Sequence, residues 1–301
     1  MVRVDELEIP ALDGRPLGAV LIHPTAEARA QVVIHGATAV PQRFYRDWAT
    51  HLAERGVAVL TYDYRGIGRS RTLPIAADRV TMSDWIDDAR VVQRWFAARR
   101  PALPLVAVGH SFGGQIAATL LPAADAIITV GAQSGYVGGH DSPRKHWLSA
   151  VMRGLIPAMT RGFGHLPGWA GLGEDLPAGV AQQWARWCSH PEYLLSELPQ
   201  LRARMAAWHG PMYALTFDDD SFAPLANVQW LHDRLVGASI EHEHLRVAAL
   251  ELDGVGHFGF FRRRAASELW PRVDDFLARV GVVPIEDECE RVLADLQYGV
   301  G

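Results

Sequence analysis

Three stretches of this chain carry residue types suited to nucleophilic chemistry: "GHSFGG" around Ser111, "DDDSFAP" with Asp218, Asp219 and Asp220, and "GVGHF" with His257. A serine hydroxyl is a weak nucleophile and needs an imidazole within hydrogen-bond reach, which a carboxylate in turn orients. Ser111 stands between Gly109 and Gly113, a spacing that suits a sharp turn from strand to helix, where small residues let the two elements approach. The competing reading of the same spacing is a glycine-rich phosphate or packing turn.

A serine, an aspartate and a histidine so far apart in sequence meet only if a fold brings their loops to one edge. "PLVAVG" reads as a buried strand and "GGQIAATLL" as a helix, with Ser111 at the tip between them. "RVDELEIPALDGRPLGAVLIHP" alternates apolar and polar residues about Asp13-Gly14, predicting an antiparallel hairpin of edge strands. "AQVVIHG" and "GVAVLTYDY" are apolar, β-branched runs separated by "PQRFYRDWATHLAER", in which Phe44, Trp48 and Leu52 recur at helical spacing. "MSDWIDDARVVQRWFAARR" predicts a further helix and "DAIITVGAQ" a further strand. Later, strand "PMYALTF", helix "LANVQWLHDRLV", strand "LRVAALEL" and helix "ELWPRVDDFLARVG" follow in order. This β-α alternation predicts an α/β fold: a mostly parallel central sheet with helices on both faces. The aspartates and His257 then follow the carboxyl ends of their strands, on the same edge as Ser111, where ligand sites of such sheets collect.

From Ser134 to Gly210 the alternation stops, and helical runs with Gly/Pro-rich joints replace it without an evident strand. The expected organisation is one core, 1–133 and 211–301, interrupted by a helical cap, 134–210, that does not fold independently. Residues 282–301 read as a helical extension without an assigned role. The cap segment holds five of the ten tryptophans, among them Trp184 and Trp187 in "QQWARWC". Either they roof a substrate pocket or they pack the cap onto the core.

Composition narrows the partners. At 301 residues, 49% hydrophobic and 21% charged, the chain can bury a large core, and its net charge of -5 gives no basic footprint for nucleic acid. Cys188 and Cys289 lack metal-type spacing and cannot form a disulfide framework. The N-terminus lacks an apolar signal run and no long apolar segment appears, so the expected location is cytoplasmic, without integral membrane association. His140, His146 and His165 lack ligand-like spacing, "RGIGRS" lacks the lysine of a phosphate loop, and His35 and His110 read as packing histidines. No metal and no cofactor are expected, and nothing in the pattern specifies an oligomer.

Taken together, "IHGAT", "DYRGIGRS", "GHSFGG", "DDDSFAP" and "GVGHF" resemble the α/β-hydrolase superfamily of serine hydrolases, with wider similarity to monoacylglycerol lipases and related carboxylesterases. The resemblance implies Ser111 as nucleophile, His257 as general base and Asp220, directly before "SFAP", as the orienting acid, leaving Asp218 and Asp219 as a solvated acidic turn. It implies the backbone N–H groups of Phe112 and Ala37 as oxyanion donors. The implied reaction is hydrolysis of an ester or thioester of a small, fairly apolar acyl group through an acyl-serine intermediate. An acyltransferase on the same triad, or a ligand-binding protein on a hydrolase scaffold, are the alternatives. Serine rather than aspartate at the turn argues against epoxide hydrolysis or dehalogenation.

Overall fold

The computed structural model describes residues 2–171 and 173–282; apart from residue 282, the expected C-terminal extension lies outside the described residues. β1 (Arg3–Pro10) and β2 (Pro16–His23) form an antiparallel hairpin, with Gly14 at φ 83° in the turn between them. β3 (Ala30–His35), α1 (Arg46–Glu54), β4 (Val57–Tyr62), α2 (Met82–Ala97), β5 (Leu105–His110), α3 (Phe112–Ile116) and β6 (Ala126–Val130) then alternate. The chain next forms α4 (Arg144–Ala150), which continues through a π-helical stretch into α5 (Ile156–Phe163). The short strands β7 (His165–Leu166) and β8 (Leu176–Pro177), α6 (Ala178–Cys188) and α7 (Leu201–Ala207) complete this excursion. β9 (Pro211–Phe217), α8 (Leu225–His232), β10 (Ser239–Leu245) and α9 (Ala266–Arg279) return it to the sheet.

Among the described residues the central sheet has eight strands in the order β1-β2-β4-β3-β5-β6-β9-β10, parallel from β4 to β10 and antiparallel where β2 meets β4. Successive central-strand residues face opposite sides. Val33, Leu60, Ala107 and Ile127 join a core with Trp85, Val92 and Phe96 of α2, whereas Val32, Val59, Val106 and Ile128 join one with Trp48 of α1 and Phe276 of α9. Burial on both faces is why these strands read as continuous apolar runs. α2 begins at a reciprocal cap, Thr81 and Asp84 exchanging side-chain and backbone hydrogen bonds.

Two sequence expectations need correction. The last strand among the described residues is the polar "SIEHEHL" of β10, not "LRVAALEL"; β10 is an edge strand, half exposed on both faces, so its apolar alternation is absent. The apolar residues beyond it, Val247, Leu250 and Leu252, pack against the core from a loop containing a short 3₁₀ turn. Within 134–210, β7 and β8 pair antiparallel where no strand was expected.

Candidate active site

Ser111 follows the last residue of β5 and precedes the first of α3, with φ 52° and ψ -112°. A non-glycine residue in that region costs roughly 1–3 kcal/mol and persists only where its surroundings enforce it. The flanking glycines are sterically required. A Cβ on Gly109 would lie 2.2 Å from Gly114 Cα, and one on Gly113 would lie 2.0 Å from the His35 carbonyl oxygen.

His257 Nδ1 and Asp220 Oδ2 are 2.7 Å apart, both side chains almost wholly buried. With the Nδ1 proton donated to the carboxylate, Nε2 carries the lone pair. Asp220 Oδ1 accepts the Phe222 N–H at 2.8 Å, so both carboxylate oxygens are engaged. The other two aspartates lie exposed in a turn, as expected, and each also accepts backbone N–H groups. Asp219 accepts the N–H groups of Val255 and Gly256, each at 2.8 Å, and so anchors the turn directly before His257; Asp218 accepts the Val247 N–H at 2.9 Å.

Ser111 and His257 line one cavity of about 280 Å³. Its walls are mostly apolar, with Val151, Met152, Leu155, Ile156 and Met159 contributed by the α4–α5 segment, and Phe222 and Phe258 beside the histidine. No carboxylate is among its described lining residues; the charged or titratable groups there, besides His257, are His140 and Arg144 at the α4 end, Cys188 and Tyr193. Gln115, absent from the sequence reading, follows Ser111 by one helical turn and therefore shares its face. Its Nε2 donates to Gln133 Oε1 at 2.8 Å, and Gln133 Nε2 donates to the Phe222 carbonyl, tying the serine helix to the Asp220 loop.

Ala37 and Trp187 do not fit the roles expected of them. The Ala37 N–H donates to the Tyr45 hydroxyl at 2.8 Å and is therefore not free for an oxyanion. The next N–H of that loop, Thr38, and the Phe112 N–H at the turn have no acceptor among the described residues, and Thr38 lines the cavity. Trp184 lines the cavity but Trp187 does not. On α6 the cavity-facing stripe is Trp184 and Cys188, whereas Val180, Gln183 and Trp187 form a buried stripe on which Gln183 bonds Ser83 of α2; Trp187 packs edge-on against Tyr193 at 5.9 Å.

His35 is fully buried, its Nε2 donating to Gln93 Oε1 at 2.9 Å and its Nδ1 accepting from Tyr62 at 2.8 Å. Burial pushes its pKa down to about 4 from an ordinary value of 6.5. The folded state therefore refuses a proton that the unfolded chain accepts. Below pH 6.5 this removes about 1.4 kcal/mol of stability per pH unit, down to the folded pKa. Melting temperature is expected to fall steadily from pH 7 to 5, and His35→Gln to flatten that slope; an unchanged slope assigns the acid lability to other groups.

A family model described as "Serine aminopeptidase, S33" matches residues 26–166. No curated protein sequence matches the chain. Among solved structures, a lipase in an open form is 20% identical with a TM-score of 0.64, the match covering 92% of this chain and 99% of that one. An esterase from Exiguobacterium antarcticum is 19% identical at a TM-score of 0.58, covering 90% and 98%. A thermostable carboxyl esterase from Bacillus coagulans, in complex with glycerol, is 15% identical at 0.59, covering 93% and 99%. Likeness to these structures over nine-tenths of the chain shows that it has the fold they share, the α/β-hydrolase fold, and the segment matched by the family model spans the strained serine where β5 turns into α3.

Proposed function

We propose that the chain is a serine hydrolase of carboxylic esters or thioesters with a fairly apolar acyl group. The reading is carried by the 2.7 Å His257–Asp220 pair sharing a cavity with Ser111 at its strained turn. His257 Nε2 takes the Ser111 proton as Oγ attacks the carbonyl carbon. The oxyanion accepts from the Phe112 and Thr38 N–H groups, and the collapsing intermediate expels an alcohol or thiol that takes the proton from Nε2. The same imidazole then activates water to release the acid and restore Ser111. Residues 134–210 act as a cap that sets the acyl range. The family model's name speaks of an aminopeptidase, but a substrate α-ammonium needs a carboxylate partner, and the described cavity lining holds none.

The test is a panel of p-nitrophenyl esters of increasing acyl length, thioesters and an aminoacyl amide, each against a Ser111→Ala control. Turnover of esters that vanishes in the control supports the reading; turnover of the amide alone overturns it.

The two tryptophans separate cap packing from substrate contact. Trp184→Ala is expected to spare acetyl esters and to lose kcat/KM progressively with acyl length, at up to about 0.8 kcal/mol per methylene that loses its contact. Trp187→Ala, emptying a fully buried site, is expected to cost roughly 3–5 kcal/mol of stability and to affect every ester alike. Activity against chain length and thermal unfolding, measured on both variants, check the contrast. Parallel losses across all lengths for Trp184→Ala would remove it from the pocket.

A further inference from the structure

The Tyr45 hydroxyl lies at the junction of two backbones that meet at the candidate site. It is 2.8 Å from Ala37 N and 2.9 Å from His110 Nδ1, and His110 Nε2 is 2.8 Å from the carbonyl oxygen of His257. The chemistry of the partners fixes every proton in this chain. A carbonyl oxygen only accepts, so His110 Nε2 carries the ring hydrogen. Full burial holds the His110 ring well below its ordinary pKa, so the ring is neutral and Nδ1 accepts. Tyr45 O–H therefore donates to Nδ1, and its oxygen accepts the Ala37 N–H. Each bond polarises the next in the same direction.

The surroundings leave this arrangement little freedom. Tyr45 and His110 are buried at 1% and 0% exposure, and Phe261 packs against both rings, with centroids 4.8 Å from Tyr45 and 4.9 Å from His110. At one end, Ala37 leads directly into Thr38 in the loop after β3. At the other, His257 is held twice: Asp220 grips its ring at Nδ1, and His110 grips its backbone. His110 also directly precedes Ser111 in the chain.

We propose that Tyr45 and His110 are positioning residues that hold the oxyanion loop and the His257 backbone in one register about Ser111, so that the Thr38 N–H and His257 Nε2 address the same substrate carbonyl. This rests on the serine hydrolase reading above. Neither residue reaches the cavity, so the effect of removing it passes through the groups it holds.

The test uses the full-length protein and p-nitrophenyl butyrate, with Tyr45→Phe, His110→Gln, His110→Asn and the Ser111→Ala reference. A glutamine side chain carries an N–H close to the Nε2 position and keeps the tie to His257, whereas asparagine reaches only the Nδ1 position. Tyr45→Phe and His110→Asn are expected to lower kcat roughly ten- to a hundredfold with KM changed less than about threefold, since the ties to the Ala37 N–H or the His257 carbonyl are lost while the cavity wall is untouched. His110→Gln is expected to retain several-fold more kcat than His110→Asn. Loss through KM instead of kcat, or equal losses in the two His110 variants, overturns the proposal. So does a Tyr45→Phe protein with undiminished kcat, because a freed Ala37 N–H would then serve as well. If Tyr45→Phe does not fold, the His110 pair decides. Full turnover by Ser111→Ala defeats the underlying reading independently of these results.

Discussion

Ser111→Ala is expected to erase labelling by a fluorophosphonate probe and to lower ester turnover by about six orders of magnitude, the scale seen when a triad nucleophile is removed. The probe phosphonylates a hydroxyl only where a base withdraws its proton and donors stabilise the charged oxygen. Ser111 shares a cavity with His257 and leads directly into Phe112, whose N–H is uncommitted among the described residues. Intact-protein mass spectrometry of wild type and variant reads the outcome. Because alanine tolerates the φ of 52° about as well as serine does, fold and stability should be nearly unchanged, and loss of labelling then reports chemistry alone. Equal labelling of both proteins would assign the reactive group elsewhere.

The strained turn was legible in sequence because its requirements are local: two glycines, a preceding apolar run and a following helix act within a few residues of Ser111. The central strands were legible because burial on both faces leaves an unbroken apolar signature. What escaped the sequence depended on contacts from afar. Whether the Ala37 or the Thr38 N–H is free is decided by a tyrosine hydroxyl on the next turn of chain, and no spacing rule reports that. β10 escaped because an edge strand has no buried face to write a pattern, while the apolar loop beyond it borrowed one. Trp184 and Trp187 lie three positions apart, one beside the cavity stripe and one on the buried stripe of α6; the helical period distinguishes them only once it is known which side of α6 faces α2. Asp219 is a further case. An acidic triplet in a loop gives no sign of the backbone N–H groups that Asp219 caps, thirty-six and thirty-seven positions away.

That arrangement gives the three aspartates separable consequences. Asp220→Asn is expected to lower kcat by about four orders of magnitude. The Phe222 N–H, 2.8 Å from Oδ1, holds the amide oxygen on that side and turns the NH₂ toward His257 Nδ1. Nδ1 must then accept, the ring hydrogen moves to Nε2, and the base loses the lone pair that would take the Ser111 proton. The substitution is nearly isosteric, so the loss should appear in kcat while the cavity keeps its shape. Asp219→Asn acts differently. Its two oxygens each receive a backbone N–H, and an amide can accept only one of them, so the turn before His257 loosens without a change of tautomer. A loss of roughly tenfold in kcat with a lower melting temperature is expected, consistent with the release of a positioning contact. Asp218→Asn, which caps only Val247, should be milder still. Steady-state kinetics on the three folded variants test the order; a larger loss from Asp219→Asn than from Asp220→Asn would mean that the carboxylate bonded to the histidine is not the group that sets its tautomer.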